Sequence, residues 1–127
     1  MTGSEPIILL VEDNEVNRDM LVRRLQRAGH KVATAGDGEA ALTAMREQHP
    51  AVVLMDMNLP VKDGWTACRE ARQEPSIAGI PIIALTAHAI EEDKHRALEA
   101  GCSDYATKPV DFPDLLTKIA AQLDAHH

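Results

Sequence analysis

Five short apolar runs, rich in β-branched residues, alternate along the chain with stretches in which apolar residues recur at helical spacing. Strict alternation of strands and helices predicts parallel strands joined by right-handed crossovers. The runs are apolar throughout, which is typical of strands buried on both faces of a sheet. The pattern therefore predicts an α/β fold with a doubly wound, five-stranded parallel sheet. The predicted strands are residues 7–11, 31–35, 51–55, 80–85 and, with the weakest pattern, 104–107.

The first and last predicted helices each carry one apolar face. In the first helix this face comprises Val16, Met20, Leu21, Leu25 and Ala28, and in the last it comprises Leu115, Leu116, Ile119, Ala120 and Leu123. Capping residues support the predicted boundaries. They are Asp37, Asp63 and Asp111 as N-caps, Gly29 and Gly101 as C-terminal glycines, and Pro113 in a first turn.

The composition restricts the class of protein. With 127 residues, 45% of them apolar, the chain suffices for one core, so we expect a single domain over residues 1–127 with its core at about 6–124. The formal charge of −7 argues against nucleic acid or an anionic membrane as the main partner. No apolar run approaches the ~18 residues of a membrane span, and the first residues lack signal-peptide features. We therefore expect a cytoplasmic protein.

The cysteines and histidines predict no metal site. Cys68 and Cys102 lie far apart and outside any CxxC motif, so both are expected to be free thiols. The six histidines are scattered without the spacing of metal ligands. If the chain holds a metal ion, oxygen atoms must supply the ligands.

Polar residues follow the strands at their carboxyl ends. Glu12 and Asp13 follow the first strand, Asp56 the third, Thr86 the fourth, and Lys108 the fifth. Ligands of open parallel sheets bind beyond these ends, where the strand order reverses. If the order is 2-1-3-4-5, as in flavodoxin-like sheets, the first and third strands meet at the reversal. Three carboxylates would then converge, with a hydroxyl and an ammonium beside them.

Three converging carboxylates need protons or a cation, because like charges and burial both raise carboxyl pKa values. Oxygen ligands without Cys or His favour a hard ion, and Mg²⁺ commonly uses one or two carboxylates plus a phosphate oxygen. Lys108 could bind a phosphoryl oxygen, while the Thr86 hydroxyl and the backbone N–H groups near Ala87 and Met57 could donate to others. Asp56 could act as a nucleophile that forms an acyl phosphate.

Each of these residues also has an ordinary structural interpretation. The acidic pair could be a solvated helix start, and Asp56 could cap a loop. Thr86 taken alone is more often a helix N-cap, and Lys108 a surface lysine. Tyr105 is by default a half-buried core residue. Their shared position, at the same end of different strands, favours a common site.

Four segments, in this order and spacing, make the chain resemble the response-regulator receiver domains of two-component signalling. They are LLVEDNEVNR, VVLMDMNLPVKDGW, IIALTAHA and DYATKPVD. They correspond to that family's acidic pair, phosphoacceptor loop, switch hydroxyl and lysine-proline signature, and the likeness covers residues 6–124. The resemblance implies a (βα)₅ flavodoxin-like receiver fold with strand order 2-1-3-4-5.

The resemblance also implies a role for each matching residue. Asp56 would be the phosphoacceptor and Lys108 would bind the phosphoryl group. Asp13 would ligate Mg²⁺ directly and Glu12 through water, with Asp56 and the Asn58 backbone carbonyl as further ligands. Glu12 departs from the Asp found in many relatives, which changes the reach of that carboxylate.

The same resemblance extends to switching and to dephosphorylation. Thr86 and Tyr105 would form the switch pair. Asn58 and His88 would tune dephosphorylation. The peptide bond between Lys108 and Pro109 would be cis.

A signalling function follows from the resemblance. Asp56 would take a phosphoryl group from a phosphohistidine on a histidine kinase or histidine phosphotransfer protein, and the domain would itself catalyse much of its phosphorylation and dephosphorylation. The face formed by the fourth helix, fifth strand and fifth helix would then control a protein partner. Val16, Asn17 and Met20 are candidate docking residues for the donor, unless Val16 and Met20 lie in the core.

Three other functions compete with this interpretation. A pseudo-receiver would serve as an interaction module without phosphorylation, although all the key residues are present. A haloacid-dehalogenase-type phosphatase needs a second Asp two positions after the nucleophile, where this chain has Asn58. A flavodoxin-like FMN binder needs a phosphate loop after the first strand, and VEDNEVN supplies carboxylates there.

Overall fold

The computed structural model describes residues 6–86 and 91–125, and within these ranges strands and helices alternate strictly. Among the described residues, no helix has the length and apolar character required to cross a membrane. The elements are β1 (Ile7–Val11), α1 (Glu15–Arg27), β2 (Lys31–Ala35), α2 (Gly38–Gln48), β3 (Val52–Asp56), α3 (Gly64–Gln73), β4 (Ile82–Thr86), α4 (Glu91–Glu99), β5 (Asp104–Thr107) and α5 (Phe112–Ala125).

The five strands form one parallel sheet in the order β2-β1-β3-β4-β5, which confirms the predicted fold. Every residue of β3 and β4 is buried, so the central strands are apolar because both of their faces are covered. The strand order reverses between β1 and β3. The carboxyl ends of these two strands therefore lie side by side, where the predicted site requires them.

Two predicted strands differ from the observed ones by one or two residues. β3 ends at Asp56 and not before it, so the carboxylate belongs to the strand. β4 begins at Ile82 and not at residue 80. The Ile80 N–H donates to the Ile77 carbonyl and its carbonyl accepts from Arg72 at 2.6 Å, so Ile80 does not pair with β3. Pro81 has no N–H for the ladder, and only its carbonyl pairs, accepting from the Val53 N–H at 2.9 Å.

The core has two layers, one on each face of the sheet. Alternate residues of β1 illustrate the division, since Leu9 and Val11 pack with α2 and α3, whereas Ile8 and Leu10 pack with α1 and α5. This alternation is the two-residue period of a strand covered on both sides.

The predicted apolar face of α1 is only partly correct. Leu21 and Leu25 are buried, but Val16 is 77% exposed, Met20 is 49% exposed and Ala28 is also exposed. Met20 and Leu21 are about 100° apart around the helix, so packing the leucines on the sheet turns the other stripe towards solvent.

The angular spacing of residues around a helix also explains a smaller error in the predicted apolar face of α5. Leu115 and Ile119 are buried and Leu116 and Leu123 are partly buried, whereas Ala120 is exposed. Ala120 follows Ile119 directly and therefore points to a different side of the helix.

The predicted caps are confirmed. Asp37, Asp63 and Asp111 each accept a hydrogen bond from the N–H three residues later, at 2.8, 2.8 and 3.1 Å. Gly29 and Gly101 have φ values of 95° and 100°, the left-handed region expected for glycines after a helix. The three aspartates therefore fix the starts of α2, α3 and α5.

Cys68 and Cys102 are buried free thiols, as predicted. Their sulfur atoms lie 3.4 Å apart, a contact that was not predicted from the sequence. The contact joins α3 to the turn between α4 and β5.

Candidate functional site

Three carboxylates converge at the carboxyl edge of the sheet. Glu12 and Asp13 follow β1, Asp56 ends β3, and one oxygen atom from each lies within 4.8 Å of the others. They meet because β1 and β3 are neighbours at the reversal of strand order. The predicted convergence is therefore confirmed.

The three carboxylates differ in exposure. Glu12 is 2% exposed and Asp56 is 4% exposed, whereas Asp13 lies on the surface. The cluster is therefore closed towards the protein and open on the Asp13 side, from which water, ions or a partner can approach.

Lys108 directly follows β5, and its side chain extends into this cluster. Its Nζ lies 2.6 Å from Asp56 Oδ2 and 3.2 Å from Glu12 Oε2. The Lys108 backbone N–H donates to the Thr86 carbonyl at 2.8 Å, which fixes the residue against the end of β4. The Lys108–Pro109 peptide bond is cis, as predicted.

The charges of the cluster depend on one another. Burial raises the pKa of Glu12, and the nearby Asp56 charge raises it further, against the opposing effect of Lys108. For Lys108, burial alone would lower the pKa, but the hydrogen bond to Asp56 and the charges of Asp56 and Glu12 outweigh burial and raise it. The ammonium therefore stays charged at neutral pH, where it partly offsets the crowded negative charge.

Glu12 is held in place by its backbone as well as by its side chain. Its N–H donates to the Ala35 carbonyl at 3.1 Å, and its own carbonyl accepts from Arg18 Nη1 at 3.1 Å. Glu12 Oε1 accepts from the Asn14 N–H at 3.3 Å. The backbone of Glu12 is thus anchored to β2 and α1, and its carboxylate is held by the Asn14 N–H and by Lys108.

The loop after β3 corrects one predicted backbone donor. Met57 was expected to offer its N–H to the site, but this group donates to the Leu85 carbonyl at 3.1 Å, because the pairing of β3 with β4 continues past Asp56. The Asn58 N–H donates to Asp56 Oδ1 at 2.9 Å. An Asp side chain that accepts from the N–H two residues later is a known turn, so the Asp-x-Asn spacing could have revealed this donor.

Gly64 allows the same loop to fold back on the strand end. A Cβ atom at Gly64 would lie 2.5 Å from the Asp56 carbonyl oxygen and 2.8 Å from Met57 Cα. The Gly64 N–H donates to the Met57 carbonyl at 3.1 Å. Close packing of α3 on the end of β3 therefore requires glycine at this position, a requirement that the sequence analysis missed.

The predicted switch residues lie on the neighbouring strands. Thr86 is the last residue of β4 and is 4% exposed. Tyr105 is half-buried in β5, in register with Ala84 of β4. Ala87 and His88, to which a backbone donor and a tuning role were assigned, lie outside the described residues.

The candidate docking residues are exposed. Val16, Asn17 and Met20 lie on the surface of α1, which rules out the alternative that Val16 and Met20 are core residues. An open depression connects Asn17 and Met20 with Glu12 and Lys108. A protein that contacts this stripe of α1 would lie directly beside the carboxylate cluster.

The donor set of the cluster fits a magnesium ion. Glu12, Asp13 and Asp56 offer oxygen atoms only, and hard cations prefer such ligands. Lys108 adds a positive charge of its own beside Asp56. The arrangement can hold a hard cation and a phosphoryl group beside the same carboxylate.

The chain is similar to a known family of proteins. A family model described as the response regulator receiver domain matches residues 8–120. The transcriptional regulatory protein AfsQ1 of Streptomyces coelicolor is 42% identical over 118 residues, which cover 93% of this chain and 51% of AfsQ1. The chain thus spans about half the length of this relative.

Two solved structures are similar over almost the whole chain. The receiver domain of sensor histidine kinase PA1611 from Pseudomonas aeruginosa, solved with a magnesium ion in its active site cleft, has 37% identity and a TM-score of 0.87, covering 95% of this chain and 99% of that one. The receiver domain of Ssk1 from Saccharomyces cerevisiae, solved with the histidine phosphotransfer protein Ypd1, has 34% identity and a TM-score of 0.83, covering 91% and 86%.

Proposed function

Because the chain belongs to the family of response regulator receiver domains of two-component signalling, we propose that residues 6–124 form one domain that accepts a phosphoryl group on Asp56. The donor is a phosphohistidine on a partner protein. The observation that carries the proposal is the ammonium of Lys108, 2.6 Å from an Asp56 carboxylate that shares its hollow with Glu12 and Asp13.

In the proposed transfer, an Asp56 carboxylate oxygen attacks the phosphorus atom in line with the bond to the donor imidazole. The new oxygen–phosphorus bond forms as the phosphorus–nitrogen bond breaks, and the imidazole leaves with the electron pair. Lys108 orients the carboxylate before transfer and binds a phosphoryl oxygen after it. The Asn58 N–H, 2.9 Å from Asp56 Oδ1, is a second donor for the transferred group.

Asp13, Asp56 and the Asn58 carbonyl would hold Mg²⁺ directly, with Glu12 acting through water. When bound, the ion would neutralise negative charge on the phosphoryl oxygens. The exposure of Asp13 gives the ion a route from solvent. Hydrolysis of the acyl phosphate returns Asp56 to its free form, and Asn58 and His88 influence the approach of water.

Phosphorylation of Asp56 would change the packing of residues in the neighbouring strands β4 and β5. The Thr86 hydroxyl and the Ala87 N–H donate to the phosphoryl group, and the movement of Thr86 leaves space into which the Tyr105 ring turns. This repacking alters the surface of α4, β5 and α5, to which a downstream protein binds. The charge change is local, and it biases two packings of the same elements.

The donor would dock on α1. Val16, Asn17 and Met20 form an exposed, partly apolar stripe next to the carboxylates. The Ssk1 receiver domain was solved with a histidine phosphotransfer protein, and we infer the same class of partner, or a histidine kinase, for this chain. An apolar stripe in this position would place the donor histidine near Asp56.

Incubation with Mg²⁺ and a small acyl phosphate tests the proposal without a protein donor. Intact mass should show one phosphoryl adduct that hydroxylamine removes. Asp56→Asn should show no adduct, whereas Asp19→Asn, the same change on the exposed side of α1, should behave as wild type. If wild type stays unmodified with both this donor and a phosphorylated histidine protein, the chain is a pseudo-receiver. Continuous release of phosphate from diverse esters would instead indicate a phosphatase.

A further inference from the structure

Lys118 of α5 contacts the same residue of β5 in two ways. Its Nζ donates a hydrogen bond to the Tyr105 carbonyl at 2.7 Å. The same Nζ lies 5.2 Å from the centroid of the Tyr105 ring, within the range of a cation–π contact. One ammonium thus touches both the backbone and the side chain of the proposed switch tyrosine.

The contact lies at an open edge of the sheet. β5 is the last strand, and a residue of a strand directs its N–H and its carbonyl to the same side. The Tyr105 N–H donates to Asp104 Oδ1 at 2.8 Å, and its carbonyl accepts from Lys118, so neither group needs a further strand. The backbone of Tyr105 is therefore held independently of its side chain, which packs against the core residues on the α2 and α3 face of the sheet.

Lys118 is itself tethered. Asp114, one turn earlier in α5, places its Oδ2 at 3.1 Å from Lys118 Nζ, and the lysine side chain is only 23% exposed. An ammonium held in this way has little freedom to follow the ring if the ring turns away. The ring contact is therefore lost when Tyr105 leaves its present orientation.

We propose that Lys118 is a positioning residue that holds the Tyr105 ring in its resting orientation and so opposes the switch. The inference rests on the proposed function, because it concerns the ring movement that phosphorylation causes. The backbone hydrogen bond does not depend on the position of the ring, whereas the cation–π contact does. A partly exposed contact of this kind changes an equilibrium about two- to fivefold.

Thermodynamic linkage makes this effect measurable at the phosphorylation site. If removal of the ammonium favours the inward ring two- to fivefold, the affinity for a phosphoryl mimic must rise by about the same factor. Lys118 is distinct from Lys108, which enters the carboxylate cluster. A residue with a merely structural role would lower this affinity or leave it unchanged.

The single tyrosine of the chain permits a direct test. Wild type labelled with 3-fluorotyrosine gives one ¹⁹F resonance, followed by NMR during titration with beryllium fluoride in excess Mg²⁺. Lys118→Met removes the ammonium and the hydrogen bond, Lys118→Gln removes the charge but keeps an N–H donor, and Lys118→Arg keeps the charge. Lys31→Met, at the opposite edge of the sheet, is the matched control.

The expected result is a two- to fivefold tighter response to beryllium fluoride in Lys118→Met and Lys118→Gln, with Lys118→Arg and Lys31→Met close to wild type. Wild-type affinity in both neutral variants, or tighter binding in Lys118→Met alone, overturns the inference, because the ring contact would then have no effect. A wild-type resonance that does not move at saturation instead removes the proposed switching of Tyr105. Lys118→Gln retains the edge hydrogen bond and provides the test if Lys118→Met does not fold.

Discussion

At the scale of the residue, Lys108 decides the electrostatics of the site. Its ammonium is the charge that approaches both buried carboxylates, Glu12 and Asp56. Without it, two carboxylates would remain close together at the edge of the core, and an uncompensated buried charge is costly. This lysine therefore contributes to stability as well as to the proposed chemistry.

We expect Lys108→Met to lower the free energy of unfolding by about 2–3 kcal/mol, less than for a fully buried pair because Lys108 keeps part of its surface in solvent. Urea denaturation measures this. Saturating Mg²⁺ should restore part of the loss, since a cation can replace the ammonium beside the carboxylates. Lys31→Met should change the free energy by no more than about 0.5 kcal/mol. An unchanged midpoint for Lys108→Met would contradict this account of the cluster.

The backbone of neighbouring residues fixes the identity of Gly64. Gly64→Ala should destabilise the protein by about 1–3 kcal/mol, because a methyl group would meet the backbone of Asp56 and Met57. Gly79→Ala is the matched control, since a Cβ atom at Gly79 meets nothing within 4 Å. Thermal unfolding of the two variants compares them directly, and equal melting temperatures would show that the loop after β3 yields without cost.

At the scale of the element, an exposed ion pair links α2 to the end of α3. Arg46 Nε lies 2.9 Å from Glu74 Oε2 and 3.0 Å from Oε1. The hydrogen bond from Arg46 holds the pKa of Glu74 below its ordinary value. A carboxyl whose pKa is depressed on folding stabilises the native state above its unfolded pKa, and this contribution disappears as the pH falls through the folded pKa.

Arg46→Gln should therefore raise the pKa of Glu74 towards the ordinary value for glutamate. An NMR titration of the Glu74 side-chain carboxyl carbon reports this shift. The stability difference between wild type and variant should be present at neutral pH and vanish in acid. Arg23→Gln, on the exposed side of α1, should leave the Glu74 titration unchanged. A Glu74 pKa that does not respond to Arg46→Gln would mean that solvent screens the pair completely.

Strands and helices were predicted correctly where a local sequence rule determines them. Apolar runs identified β3 and β4 because both of their faces are buried, and an Asp before each of three helices supplied an observable cap. The exposure of Val16 and Met20 was not predictable in this way, because helical periodicity groups apolar residues without showing which of them the sheet covers. Tertiary packing decided that question.

For the site, too, some features could be predicted from the sequence and others depended on tertiary structure. Strand order alone brought the carboxylates together, so their convergence followed from topology. The choice between the amides of Met57 and Asn58 depended on how far β3 pairs with β4, which is a matter of register. The contact between Cys68 and Cys102 joins segments with no local signal and could only be seen in three dimensions.

For the protein as a whole, Mg²⁺ binding should increase the free energy of unfolding. An ion that binds the folded chain alone adds RT ln(1 + [Mg²⁺]/Kd), about 2.7 kcal/mol at a hundredfold excess over Kd. Thermal unfolding with Mg²⁺ should show a higher melting temperature than with a chelator. Asp13→Asn should abolish the difference and Asp19→Asn should retain it. A melting temperature indifferent to Mg²⁺ would argue against a metal site in the cluster.

The separation of Glu12 and Lys108 by 96 residues has a consequence for synthesis on the ribosome. During synthesis, a nascent chain that includes β1 and β3 already carries Glu12, Asp13 and Asp56. Lys108, which compensates their charge, is added much later. Before Lys108 is made, the carboxylates lack its counter-charge, and the proposed phosphoacceptor site would be incomplete. Under the proposed function, the site could therefore accept a phosphoryl group only after β5 and Lys108 have been made.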